Sequence, residues 1–180
     1  MANKRVRAVD RKLKGRYAAF ASNPEKTAKA RVSDSQAHFK NTRETVKTLQ
    51  GMPLVAAQKY LRDVLNHKRC VPFRRFCGGV GRTAQAKEWK NSLGRWPEKS
   101  VKAVQSLLIN ARSNALSRDK PLEVRQLRIW RIQANRARQL RRRTYRAHGR
   151  IGAFMRSPSH IQVILKQDQT EIKAPEADAQ

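Results

Sequence analysis

An α+β fold is what this sequence predicts, with helices laid against antiparallel strands and a long hairpin arm projecting from them. Three observations carry that expectation. Apolar residues recur at helical spacing in three segments between residues 41 and 115. Two later segments, 127–134 and 160–166, alternate apolar and polar residues as half-buried strands do. The stretch joining those two segments is too long for a structureless loop in a compact domain, so the strands are expected to continue outward as a ribbon.

Taken in order, residues 1–30 carry charge, Gly15 and the Asn23-Pro24 pair without sustained periodicity, and read as a basic extension that orders on a partner. Its first 20 residues superficially look like an organellar transit peptide, but the cations are too closely spaced for a clean apolar face and Asp10 interrupts the run. A short extended segment is expected within residues 30–39. Asn41 then presents an N-cap with Glu44 three positions on, the layout of a capping box, for a helix running through Val46 and Leu49 to Gly51. Pro53 can open a second helix, in which Leu54, Ala57, Leu61, Val64 and Leu65 recur at helical spacing. From residue 66 to residue 96 the pattern breaks into an irregular basic loop. Its Gly78, Gly79 and Gly81 fail as a phosphate-binding loop, because no Gly-Lys-Ser/Thr ending follows. Pro97 restarts helix, with Glu98 in the first turn and Val101, Val104, Leu108, Ala111 and Ala115 in one stripe.

In the strand 127–134, Leu127 and Ile129 share one face and Trp130, Ile132 and Ala134 the other, which assigns Trp130 to the core. In 160–166, Ile161, Val163 and Leu165 alternate with Gln162 and Ile164. With about 10 extra residues per side at about 3.3 Å each, the arm would reach on the order of 35 Å. The tail 167–180 is polar, mildly acidic and reads as disordered.

Charge narrows the function. Lys and Arg number 41 against 13 acidic residues, for a formal charge of +28. So lopsided a balance opposes compaction unless a polyanion neutralises it. No apolar run approaches the roughly 20 residues needed to span a bilayer, and the strongest helix buries a core stripe instead of offering a Lys-rich amphipathic face to a membrane. Cys70 and Cys77 stand too far apart for a zinc pair, and His67 is the only further ligand nearby, so no metal or cofactor is expected and the thiols read as reduced.

Between Val124 and Lys166 there is no acidic residue, yet the span holds Arg125, Arg128, Arg131, Arg136, Arg138, Arg141, Arg142, Arg143, Arg146, Arg150 and Arg156. A solvated protein face mixes both signs. A planar guanidinium pairs bidentately with phosphate and stacks on bases, so an arm of arginines suits the crevices of folded RNA. Tyr145 and Phe154 could stack on bases. Base-specific reading of duplex DNA by a β-ribbon calls for a rigid dimer, and the sequence carries no dimerisation signal. The four histidines, His38, His67, His148 and His160, are scattered without short-range carboxylate partners, so no catalytic constellation is present.

Four blocks carry a specific likeness: HFKNTRET (38–45), CVPFRRFCGGVGRTAQAKEWK (70–90), GRWPEKS (94–100) and RRRTYRAHGRI (141–151). They resemble the universal large-subunit ribosomal protein 22 family, and the GGVGRTAQAK insertion looks like its eukaryotic cytosolic branch, counted there as large-subunit protein 17. The likeness covers roughly residues 23–166; the first 22 residues have no counterpart in it, and the acidic tail is short and lacks a long basic C-terminal extension. The resemblance implies three helices on a small three-stranded antiparallel sheet with a long protruding hairpin, in a domain spanning 31–166 whose arm is 127–166. It implies a structural role in the large ribosomal subunit of cytoplasmic ribosomes assembled in the nucleolus, with ribosomal RNA and neighbouring large-subunit proteins as partners. Lys40, Arg43, Arg74, Arg75, Arg82, Lys87, Arg95, Arg136, Arg138, Arg141, Arg142, Arg143, Arg146, Arg150 and Arg156 would contact RNA. Tyr145, Arg146, Ala147, His148 and Gly149 would form a tip facing the nascent polypeptide in the exit tunnel, Gly149 suiting a turn where positive φ is cheap. Neither membrane nor homo-oligomer enters that picture.

Overall fold

A computed structural model of the chain describes residues 17–19 and 23–167. The remainder of the N-terminal extension and the tail after Gln167 lie outside the described residues.

Three long strands form the main sheet in the order β1 (Thr27–Ser35), β7 (Ser159–Gln167), β4 (Leu127–Arg136), all antiparallel. Strand β7 takes the middle, with three apolar residues on its helix-side face and one, Ile164, among the polar His160, Gln162 and Lys166 on the other. Ile161, Val163 and Leu165 are fully buried on the helix side, and Ile164 on the other is buried too. Beneath Ile164, the described part of the extension lies against the sheet, with the Ala18 N–H donating to Gln162 Oε1 at 3.4 Å. The extended segment expected at 30–39 is β1, shifted to begin at Thr27, so the expected start of the domain falls inside a strand. Its buried positions are Thr27, Ala28 and Ala30, and the two alanines give little strand signal.

One assignment is corrected in β4. Ile129 pairs with Leu165 but Arg131 pairs with Ile164, which leaves Trp130 as the extra residue of a β-bulge. The bulge shifts the alternation by one, so that Leu127, Ile129 and Ile132 all face the core while Trp130 is 41% exposed. Trp130 is therefore a surface residue, beside Lys47, Gln50 and Gln133.

Three helices cover one face of the sheet: α1 (Phe39–Leu49), α2 (Leu54–Leu65) and α3 (Glu98–Leu116). Helix α1 starts earlier than the sequence predicts. Its N-cap is His38, whose Nδ1 accepts from the Lys40 N–H at 3.2 Å, and Asn41 lies inside the helix, so there is no capping box. The stop at Gly51 is as expected, with φ +85°. Gly51 N–H then donates to the Ile129 carbonyl and Ile129 N–H to that of Met52, both at 2.9 Å, closing that part of the β4 edge. Prolines 53 and 97 sit one residue ahead of their helices, as N-caps. The predicted stripes are buried: Leu54, Ala57, Leu61 and Val64 on α2, and Val101, Val104, Leu108, Ala111 and Ala115 on α3. Tyr60 and Leu107 join them, whereas Leu65 is only half-buried.

The segment 66–96 is not an irregular loop. Short strands β2 (Val71–Pro72) and β3 (Gly94–Arg95) pair antiparallel, with a tight helical turn at Ala84–Trp89 between them. Cys70, Val71, Phe73 and Ala86 are buried, and the Tyr60 hydroxyl donates to the Cys70 carbonyl at 2.8 Å. These anchors follow no period, which is why the sequence conceals them.

Candidate nucleic-acid interface

Beyond β4 and β7 the two segments continue side by side. Ala137 N–H donates to the Pro158 carbonyl at 3.1 Å, and Leu140 and Arg156 exchange bonds at 3.1 and 3.0 Å. The ladder resumes as β5 (Arg143–Tyr145) and β6 (Ile151–Ala153). At the tip, Arg150 N–H donates to the Ala147 carbonyl at 3.3 Å, and the residues between, His148 (φ 58°) and Gly149 (φ 68°), are both left-handed. Two left-handed central residues match the right-handed twist of a two-stranded ribbon. Gly149 occupies that conformation freely, and His is among the non-glycine residues that tolerate it.

The arm has no core. From Arg138 to Arg156 no residue is buried; Tyr145 is 77% exposed, and Leu140, Ile151, Phe154 and Met155 are exposed as well. Arg138, Arg141, Arg142, Arg143, Arg146, Arg150 and Arg156 are all exposed along this ribbon. Arg142 lies 6.0 Å from the Phe154 ring centroid across the ladder. On a pleated ribbon Arg141 and Arg143 face opposite to Arg142, so cations line both sides of the arm.

The remaining predicted site residues lie on the body, and the structure divides them. Lys40, Arg43 and Arg75 converge on one ring, Phe76, at 5.7, 5.9 and 5.6 Å. Phe76 packs edge-on against Phe39 at 6.0 Å, and Arg136 sits 5.1 Å over Phe39. Arg74 and Arg95 are exposed but donate to backbone carbonyls, of Trp89 at 3.2 Å and of Gly79 at 2.7 Å, bracing the segment 66–96. Arg82 and Lys87 stand apart, beside Lys90 and Asn91.

Sequence reasoning missed Glu44, Phe39 and Phe76. Glu44 is buried, and its carboxylate accepts from the backbone N–H groups of Arg74 (3.2 Å), Arg75 (3.3 Å) and Phe76 (3.2 Å) as well as from Arg43 Nη1 at 2.8 Å. The available signal was an acid set among the buried positions Thr42, Thr45, Val46 and Leu49, a place where a carboxylate needs an internal partner. Among the described residues no group of three His, Cys, Asp or Glu side chains could hold a metal ion, and no helix is long and apolar enough to cross a membrane.

Comparison with known proteins agrees with this architecture. Residues 30–166 match the family model described as ribosomal protein L22p/L17e. Proteins named large ribosomal subunit protein uL22 are similar along most of their length. That of Diaphorina citri is 53% identical over 164 residues, 91% of this chain and 88% of its own. That of Zea mays is 52% identical over 164 residues, 91% and 94%, and that of Dictyostelium discoideum 52% over 159 residues, 88% and 87%. With an α+β body, a three-stranded sheet and an arginine-studded hairpin in place, and with the family model matching residues 30–166, the chain belongs to the L22p/L17e family of ribosomal proteins.

Proposed function

We propose that this chain, a structural ribosomal protein and not an enzyme, binds large-subunit ribosomal RNA with its arm and with the cationic side of its body. One observation carries the reading: the arm is a two-stranded ribbon rich in exposed arginine, free of acid and without a core of its own. Such a ribbon is marginal in water, and its charges repel one another. Phosphates around it would cancel the repulsion, and guanidinium groups on both sides would let it run between RNA segments brought close from different domains. Binding would release counterions and weaken by ~10³-fold or more between low and moderate salt if six or more phosphates are contacted.

In this reading Lys40, Arg43, Arg75 and Arg136 serve the root of the arm, and Arg138, Arg141, Arg142, Arg143, Arg146, Arg150 and Arg156 its length. Arg74, Arg82, Lys87 and Arg95 serve the segment 66–96. Tyr145, Arg146, Ala147, His148 and Gly149 form the tip, which would line the exit tunnel and meet the nascent polypeptide. The protein works in cytoplasmic ribosomes after assembly in the nucleolus, among neighbouring large-subunit proteins. Its extension and tail flank the working domain.

The test is to replace residues 140–156 by Asn-Gly, closing the ladder at the Gln139–Ser157 level. The body is expected to fold while large-subunit assembly or the tunnel profile is impaired. Normal assembly with an unchanged tunnel would defeat the proposal.

A further inference from the structure

Glu44 is, among the described residues, the one acidic side chain that is buried. Burying a carboxylate is costly, and such a group contributes little net stability compared with an apolar side chain of similar size. What its bonds do is specify geometry. Three successive backbone N–H groups, of Arg74, Arg75 and Phe76, turn toward one anion. Backbone nests of this kind commonly receive phosphate. Here the protein's own carboxylate fills the nest, so the turn at 74–76 is set before any partner arrives.

The consequence lies on the outer side of that turn. With its backbone held, Phe76 stands edge-on to Phe39, and the two rings carry Lys40, Arg43, Arg75 and Arg136, each within 6 Å of a ring centroid. A flat aromatic beneath a cation limits where a long side chain can go without cancelling its charge. Glu44's own charge is spent beneath the patch, on the N–H groups and on Arg43.

We infer that Glu44 is a positioning residue: a fixed internal anion that pre-assembles, from Lys40, Arg43, Arg75 and Arg136 on the Phe39–Phe76 pair, a docking site for the phosphodiester backbone of RNA at the root of the arm. This rests on the RNA-binding reading above and adds to it a site that is pre-assembled by the protein's own carboxylate.

Full-length variants are compared for binding to a transcript of large-subunit ribosomal RNA across a salt series, with thermal melting in parallel. The double substitution K40A/R75A should lower affinity about 10-fold at moderate salt and reduce the log–log salt slope by roughly 1–2. Glu44→Gln should give a similar loss in the wild-type background and no further loss in K40A/R75A, although it lowers the melting temperature in both. Phe76→Leu leaves every Glu44 bond available, since these go to backbone N–H groups and Arg43, and should also reduce the slope. It keeps the test open if the Glu44 variant does not fold. The proposal is overturned if Glu44→Gln lowers melting without changing affinity or slope, or lowers affinity equally in both backgrounds. It is also overturned if K40A/R75A and Phe76→Leu bind as the wild type does. Failure of the wild type to bind the transcript at physiological salt would instead remove the RNA-binding reading, and this one with it.

Discussion

The backbone N–H of Phe39 donates to the carbonyl of Ser157 at 3.0 Å, so the first residue of α1 is tied to the root of the arm. Ser159 Oγ adds a bond to the Ala37 carbonyl at 3.2 Å, and Arg136 covers the Phe39 ring. Inside this clasp the arm is part of the body. Outside it, among the described residues, the hydrogen bonds of the ribbon run between its own two strands.

Stability and RNA affinity should therefore separate at the clasp. Replacing residues 140–156 by Asn-Gly removes Arg141, Arg142, Arg143, Arg146, Arg150 and Arg156 but no buried residue. Chemical denaturation should show a midpoint close to the wild type. Salt titration of RNA binding should show the log–log slope reduced by up to ~5, at about 0.7–0.9 per phosphate released. A large fall in the denaturation midpoint would place part of the core in the arm.

Gly94 approaches Cys70 so closely that an added Cβ would lie 2.7 Å from Sγ, 3.0 Å from Thr83 Cγ2 and 3.2 Å from the Val71 carbonyl. Gly94→Ala should destabilise by about 1–3 kcal/mol through overpacking against strand backbone. Gly78→Ala, where nothing stands within 4 Å, is the matched control and should melt with the wild type.

Burial raises the Tyr60 phenol well above its usual value of 10 and the Cys70 thiol above 9. The folded chain thus keeps protons that the unfolded chain releases, so their contribution to stability is intact below pH ~9 and falls as pH rises beyond it. Tyr60→Phe should flatten that alkaline loss, and at neutral pH should cost about 1 kcal/mol by leaving the Cys70 carbonyl without its donor. Denaturation midpoints measured across the alkaline range check both statements; an unaltered pH profile in Tyr60→Phe would contradict the first.

The bulge at Trp130 makes a paired prediction. Trp130→Gln should change stability by no more than about 0.5 kcal/mol, as exposed sites do, whereas Ile132→Ala should cost about 2–5 kcal/mol. Had β4 kept strict alternation, the two would share a face and their costs would be alike.

That strand shows where sequence reasoning succeeds and where it stops. The stripes of α2 and α3 and the alternation of β7 were legible, because each is a periodic burial pattern within one segment. The phase of β4 after Ile129 was not, because a bulge depends on the partner strand's register. Helix α1 was placed but given the wrong start, since His38 caps it through an imidazole nitrogen. The fold of 66–96 was missed because Cys70, Phe73 and Ala86 are buried by contacts distant in sequence.

By itself the sequence determined the class of elements, the sign of the partner's charge and the existence of an arm, since all three follow from local composition and period. Only the tertiary structure decided that Phe39 and Phe76, with 36 residues between them in the chain, share four cations over a buried Glu44. A carboxylate beside an arginine reads in sequence as an ordinary surface pair. Burial beneath three converging N–H groups, contributed by a segment 30 residues away, is what turns it into an internal anchor.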